Sequence, residues 1–232
     1  MDWKHALFDF SPFWKESGTV AASFWATIRL SAMTGVLSMI VGTLLAAMRV
    51  SPTPVLRAAG TLYVNTVRNT PLTLVLLFCS LGLSDTLHFQ IAGSVGSSTN
   101  YYWLAVFGFS AYTAAFVCEA LRSGINTVPY GQAEAARAIG LTFTQSLRLV
   151  VLPQAFRSVI APLGSVMIAM IKNSTVVLVA SYAEASAQMK QMFEEFGATL
   201  PIFLGFAAGF MVLTLPTGFI FGWAAKRWAV LR

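Results

Sequence analysis

Four ionisable side chains lie inside otherwise apolar segments of this chain: Arg29, Arg68, Glu119 and Lys172. A charged side chain is costly in a hydrocarbon environment, so such residues either pair with one another or lie on the route of a polar ligand. A guanidinium group and a carboxylate on neighbouring helices form a charge-assisted pair. The sequence therefore predicts either an interhelical salt bridge between Arg68 and Glu119 that only holds two helices together, or a polar site that handles a ligand.

Two further polar features interrupt the apolar segments. The first is the run Lys172-Asn173-Ser174-Thr175, which inside a membrane needs a water-filled cavity or a partner helix for its donors. The second is Thr70-Pro71, which should open the helical hydrogen-bond ladder because proline has no N–H. The freed carbonyls can face a ligand, as in the broken helices of transporters, or the proline can make a simple packing kink.

The sequence lacks the signatures of several other chemistries. It has no Gly-x-x-x-x-Gly-Lys-Ser/Thr phosphate loop for ATP, and its His, Cys, Asp and Glu residues show no metal-ligand spacing. An intramembrane serine protease of the rhomboid type needs a histidine within a span, and His5 and His88 both lie outside the apolar segments. We therefore expect a chain that is not an enzyme and binds no metal or cofactor itself.

The composition indicates a polytopic membrane protein. The chain has 232 residues, of which 56% are hydrophobic and 10% charged, and its mean hydropathy is +0.70. A membrane span needs about 20 mostly apolar residues. Five segments qualify, at residues 19–48, 62–83, 101–121, 159–180 and 201–224. We predict an all-α fold with five transmembrane helices that span a lipid bilayer.

The basic residues are dispersed at the ends of these segments. This pattern is typical of topology signals and not of a nucleic-acid surface, so no nucleic acid is expected as a partner. Positive charge accumulates after the first, third and fifth segments, at Arg49, Arg57, Arg122, Arg137, Arg148, Arg157, Lys226, Arg227 and Arg232. Because cytoplasmic loops carry the excess of Lys and Arg, the prediction is an external N-terminal segment at 1–18, a membrane domain at 19–226 and a cytoplasmic tail at 227–232.

The cytoplasmic loop at 129–153 has the local signals of two short helices. Residues 132–139 are rich in alanine, and Gly140 follows them where a left-handed backbone would end the helix. Thr142 and Gln145 have the spacing of a capping box for a second helix. Pro153 should end that helix or kink the entry to the fourth span. On these signals alone, the loop could also be a solvated connector.

The same loop resembles the EAA signature of permease subunits in ATP-binding-cassette (ABC) importers. That signature reads Glu-Ala-Ala, three residues, Gly, nine residues, Ile, one residue and Leu-Pro. The chain carries Glu134, Ala135, Ala136, Gly140, Leu152 and Pro153 at the matching positions. It departs from the signature only at Val150, where isoleucine is usual.

Three further segments resemble the polar amino acid permeases of that family. They are Val67-Arg68-Asn69-Thr70-Pro71-Leu72, Glu119-Ala120-Leu121-Arg122-Ser123-Gly124-Ile125 and Lys172-Asn173-Ser174-Thr175. Asn69 stands where glycine is usual, and Val75 where many members carry glutamine. The first of these segments, together with Phe78-Cys79-Ser80, looks most like the glutamate-uptake permeases.

The resemblance implies a type I ABC importer permease in the bacterial cell membrane. Its expected partners are an ABC ATPase dimer that binds ATP and Mg, a second permease that is a paralogue or another copy, and an external substrate-binding protein. The EAA helix would sit in a groove of the ATPase, with Glu134 as a polar anchor and Gly140 as the turn that sets the helix angle. The cargo would be glutamate or a related polar amino acid such as glutamine, aspartate, arginine or histidine.

An acidic amino acid has two carboxylates and one ammonium group. We expect Arg68 and Lys172 to meet the carboxylates and Glu119 to meet the ammonium group. The rest of the predicted substrate pathway is Thr70, Asn173 and Ser174. Two other classes remain as alternatives: a secondary transporter, which would require an ion site and often inverted repeats, and a purely structural membrane subunit.

Overall fold

A computed structural model of the chain describes residues 9–197 and 200–228, and the regular elements in these ranges are helices. They are α1 Ser11–Lys15, α2 Ser17–Val50, α3 Pro54–Arg68, α4 Leu72–Leu77, α5 Ser98–Asn126, α6 Tyr130–Ala138, α7 Phe143–Ser146, α8 Leu152–Asn173, α9 Ala185–Phe196 and α10 Leu200–Arg227. The predicted all-α fold is confirmed. Residues 1–8 of the predicted N-terminal segment and 229–232 of the predicted tail lie outside the described ranges.

Four helical stretches are long and apolar enough to cross a membrane. They are Ser17–Val50, Ser98–Asn126, Thr144–Ala180 and Leu200–Arg227. A fifth crossing is formed only if the bent pair Pro54–Arg68 and Leu72–Thr86 counts as one span. Four of the five predicted spans are therefore continuous helices, and the second is a broken one.

The second predicted span, at 62–83, is wrong as a single straight helix. Its two halves meet at 101°. The break falls where Thr70 precedes Pro71, because a residue before proline is disfavoured in the helical conformation and proline cannot donate its nitrogen to the ladder. The predicted opening of the helix at Thr70-Pro71 is confirmed. Beyond it, α4 continues to Thr86 as a π-helix.

The predicted stop at Pro153 is wrong, because the helix continues through it. α7 passes through a π-helical segment, Leu147–Val151, directly into α8, and α8 continues to Ala180 as a 3-10 helix. Pro153 lies in the first turn of α8, where its missing N–H is least harmful, and the wider π turn before it gives its ring room. The second helix of the loop and the fourth span are therefore one continuous helix.

α5 is the central helix of the fold. It packs against α2 and against α8, and its residues Phe109, Val117 and Cys118 are fully buried. Glycine allows the closest approaches: a Cβ atom on Gly42 of α2 would lie 2.6 Å from the Cβ of Val117. This tight packing of α2, α5 and α8 brings their polar side chains within reach of one another.

Candidate functional site

The carboxylate of Glu119 is surrounded by three guanidinium groups. Arg49 forms a hydrogen-bonded ion pair with it from the end of α2. Arg68 lies 3.4 Å from it at the end of α3, and Arg122 lies 4.0 Å from it one turn further along α5. The predicted ion pair between Arg68 and Glu119 is confirmed, and these four residues are called the arginine cluster below.

Helix geometry explains why the arginines converge. Arg49 and Arg68 occupy the last turns of α2 and α3, where the helix dipole favours positive charge. The side chain of Arg49 is only 7% exposed, whereas those of Arg68 and Arg122 are 43% and 42% exposed. Three positive groups against one negative group leave the arginine cluster with a net charge of +2.

Arg49 is the partner that sequence reasoning missed. At the end of an apolar segment, its charge was interpreted only as a topology signal. A second signal was available, because Gly42 and Ala46 place small residues on the face of α2 that also carries Arg49. Small residues at such spacing indicate close helix packing in membranes. The packing of α2 against α5 places Arg49 next to Glu119.

A cavity of about 220 Å³ with a largely apolar lining lies between α5 and α8. Its lining is Tyr112, Thr113, Phe116, Ser165, Val166, Ala169, Met170 and Asn173. Asn173 is the one predicted pathway residue that lines it. The guanidinium of Arg68 lies over the Phe116 ring, 5.7 Å from its centre, so Phe116 joins the cavity to the arginine cluster.

The other predicted pathway residues lie apart from this cavity. The Thr70 hydroxyl donates to the carbonyl of Thr66 at 2.9 Å. The buried Ser174 hydroxyl donates to the carbonyl of Ile171 at 2.7 Å. Lys172 is exposed near the end of α8. The structure thus brings together Arg68 and Glu119. Asn173 lines the cavity that Phe116 also lines, whereas Thr70, Lys172 and Ser174 are not among its lining residues.

The EAA segment has the local geometry that its sequence predicts. α6 ends in a Schellman motif, in which the N–H of Gly140 donates to Arg137 at 3.0 Å and that of Leu141 donates to Ala136 at 3.2 Å. Gly140 has φ +94°, in the left-handed region. The capping box is also present: the Gln145 N–H donates to the Thr142 hydroxyl at 3.3 Å, and the Thr142 N–H donates to Gln145 Oε1 at 2.9 Å.

α6 presents an exposed face and is tied to the helix that follows. Glu134, Ala135, Gly140, Leu152 and Pro153 are exposed, whereas Ala136 is buried. The apolar side chains of Tyr130 and Ile139 are also largely exposed. Gln154 of α8 donates to the side chain of Gln132 at 2.5 Å, and the Ser146 hydroxyl donates to the carbonyl of Ala133 at 3.4 Å. Glu134 and Arg137 form none of the ion pairs recorded among the described residues.

Glu184 is a second residue whose environment the sequence does not predict. It is fully buried at the start of α9. Its carboxylate accepts hydrogen bonds from the N–H groups of Ser186 at 2.9 Å and Ala187 at 3.1 Å, and from the Thr27 hydroxyl at 3.3 Å. Burial raises the pKa of Glu184 above its ordinary value, and the hydrogen bonds from Ser186, Ala187 and Thr27 oppose that rise.

Local sequence signals do not predict this role. Glutamate is not one of the residues preferred at a helix N-cap, and the buried position depends on Thr27, which lies far away in the chain on α2. The Glu184 contacts fix the start of α9 against α2. In the ranges 9–197 and 200–228, no group of three or more His, Cys, Asp or Glu residues could hold a metal ion.

Comparisons with known proteins agree with this arrangement. Residues 38–230 match the family described as "Binding-protein-dependent transport system inner membrane component". The chain is 50% identical to glutamate transport system permease protein GluC of Corynebacterium efficiens, and 48% identical to GluC of Corynebacterium glutamicum. Each alignment covers 95% of this chain and 99% of the relative.

A solved structure of an amino acid ABC transporter with histidines has the same fold. Its TM-score is 0.84 at 25% identity, with 94% of this chain and 98% of that chain covered. The broken second span, the α5–α8 packing and the EAA segment are thus seen in a chain whose fold is that of ABC importer permeases. The chain belongs to the family of binding-protein-dependent transport system inner membrane components, the permeases of ABC importers.

Proposed function

We propose that this chain is the permease subunit of an ATP-driven importer of glutamate. The observation that carries the choice of cargo is the near-complete alignment, at about half identity, with two permeases named for glutamate transport. The arginine cluster supports it, because its net positive charge beside the cavity suits an acidic solute better than a basic one.

The energy for transport would come from a separate ATPase dimer. The ATPase would bind ATP and Mg, and this chain would bind neither. The exposed face of α6, with Glu134, Ala135 and Gly140, would dock into the ATPase, and Leu152 and Pro153 would lie at the start of α8 beside it. The Schellman motif and the capping box support this role because they fix the angle between α6 and α7.

A continuous helix would carry the motion to the cavity. α6 is bonded to the helical stretch Thr144–Ala180 through Gln154 and Ser146. At 1.5 Å per residue, that stretch is about 55 Å long, and Asn173 near its far end lines the cavity. Movement of α6 by the ATPase would therefore shift a wall of the cavity without an intervening hinge at Pro153.

The remaining partners follow from the same proposal. A second permease, either a paralogue or another copy, would complete the pathway, and an external binding protein would deliver the amino acid. The N-terminus would lie outside and the C-terminus in the cytoplasm. Arg68 and Asn173 are the pathway residues that the geometry supports best. Exposed Lys172 would need the second permease beside it to face an enclosed pathway.

Uptake by the reconstituted complex tests this function. Proteoliposomes that contain the permease pair and the ATPase, with the binding protein added outside and ATP inside, should accumulate labelled glutamate. Unlabelled glutamate and aspartate should compete, and glutamine and arginine should compete less well. If arginine or glutamine competes best, or if no ATPase co-purifies with the chain, the proposed function is wrong.

A further inference from the structure

Glu119 is the shared counter-ion of three arginines, and its distances to their guanidinium groups differ. Arg49 is buried and holds the carboxylate in a hydrogen bond. Arg68 at 3.4 Å and Arg122 at 4.0 Å are further away than the 2.7–2.9 Å typical of a charge-assisted hydrogen bond. Arginine has five N–H donors, so Arg68 keeps donor capacity that Glu119 does not use.

The position of Arg68 differs from that of Arg122 in two respects. Its guanidinium lies over Phe116, which lines the cavity between α5 and α8. It is also the last residue of α3, immediately before the 101° break. Arg68 is therefore next to the cavity and at the end of a helix that is not continued, whereas Arg122 lies within α5.

We propose that the side-chain carboxylate of the substrate displaces Glu119 from Arg68, and that this exchange of anions makes the permease select acidic over neutral amino acids. Glu119 remains neutralised by Arg49 and Arg122 after the exchange, so no buried charge is left without a partner. A neutral amide is a weaker acceptor than a carboxylate and cannot replace Glu119 at Arg68. The inference rests on the proposed function and adds a specificity-determining residue to it.

The role assigned to Glu119 differs from the one expected from its sequence. A carboxylate surrounded by three guanidinium groups already has cations on both oxygens, which leaves a substrate ammonium group little to gain from it. Glu119 acts in this proposal as a positioning residue that holds Arg68 until the substrate arrives. The polar groups of the cavity, including Asn173, remain available to the ammonium group and the backbone carboxylate.

Equilibrium binding to the purified permease–ATPase complex tests the exchange without the selectivity of the external binding protein. The probes are labelled glutamate and unlabelled glutamine as competitor. Arg68→Gln should reduce the preference for glutamate over glutamine by about tenfold or more, which corresponds to about 1.4 kcal/mol. Arg68→Lys should restore part of the preference, because the charge returns without the planar fork.

Arg57→Gln is the matched control. It removes the same charge from the same helix, α3, but Arg57 is exposed, donates to the carbonyl of Pro52 and forms none of the ion pairs of Glu119, so the preference should stay within twofold of the wild type. Equal losses in both variants would show a general electrostatic effect and overturn the exchange. An unchanged preference in Arg68→Gln would overturn it as well.

Glu119→Gln tests the other half of the exchange. Removing the competing anion should tighten glutamate binding and leave glutamine binding unchanged; weaker glutamate binding by a folded variant would contradict the proposal. Arg68→Gln keeps the buried Arg49–Glu119 pair, so it decides the question even if Glu119→Gln does not fold. Wild-type proteoliposomes that fail to take up glutamate would refute the proposed function separately.

Discussion

Replacing Glu184 by alanine should destabilise the fold where the start of α9 packs against α2. The carboxylate caps α9 and accepts the N–H groups of Ser186 and Ala187. The Ser186 hydroxyl would keep a partner, since it also donates to the carbonyl of Thr175 at 2.8 Å. Thr27 would keep its bond to Ser23. The alanine variant therefore leaves two backbone donors without an acceptor.

The expected magnitude follows from those two donors. A buried donor without a partner costs about 1–3 kcal/mol. The N–H of Ser186 is buried and that of Ala187 is partly buried, so Glu184→Ala should lose about 2–4 kcal/mol in total. Glu184→Gln should lose much less, because the amide oxygen can accept the same two hydrogen bonds.

The pH dependence of stability distinguishes the wild type from the Glu184→Gln variant. Burial raises the pKa of Glu184 in the fold, so the folded chain binds this proton more tightly than the unfolded chain does. The wild type should therefore gain stability as pH falls through the raised pKa, and the gain should be complete below the ordinary value of 4.5. Glu184→Gln should lack this gain.

Thiol labelling during heating in detergent provides the assay. Cys79 and Cys118 are free and buried, so a thiol-reactive dye reports their exposure. A loss of about 2–4 kcal/mol in the free energy of unfolding should lower the midpoint temperature of thiol labelling by roughly 4–16 °C in a chain of this size. Glu194→Gln is the control, because Glu194 lies on the same helix but is 69% exposed, in a pair with Lys190. A midpoint in Glu184→Ala equal to that of the control would refute the capping role.

Two glycines give further predictions. Gly140→Val should uncouple ATP hydrolysis from transport and lower uptake several-fold while the complex still reaches the membrane, because valine is strained at φ +94°. Gly131→Ala is the control: a Cβ atom on Gly131 would meet nothing within 4 Å, so uptake per hydrolysed ATP should be unchanged. Gly124→Ala should lower the midpoint of thiol labelling by a few degrees, since its Cβ would collide with Val159 and overpacking costs about 1–3 kcal/mol. Gly222→Ala has open space at its Cβ and should leave that midpoint unchanged; equal values for these two variants would contradict the tight α5–α8 crossing.

The sequence alone determined those features whose contacts are local. The EAA helix, its Schellman ending at Gly140 and the capping box of Thr142 and Gln145 all depend on groups within a few residues of one another. The helical class and the approximate positions of the spans follow equally directly, because the bilayer requires long apolar helices with internally satisfied backbones. The break at Thr70-Pro71 is also predictable from the sequence, because it depends only on proline and the residue before it.

Tertiary structure decided the features that depend on distant partners. Nothing near Glu119 in the chain indicates that Arg49 is its closest partner; the packing of α2 on α5 brings them together. Glu184 resembles a surface charge until Thr27 and the start of α9 enclose it. Pro153 predicts a break, but the π-helical turn before it keeps the helix continuous. A local motif fixes its own geometry, whereas the burial and charge balance of a side chain depend on which helices pack around it.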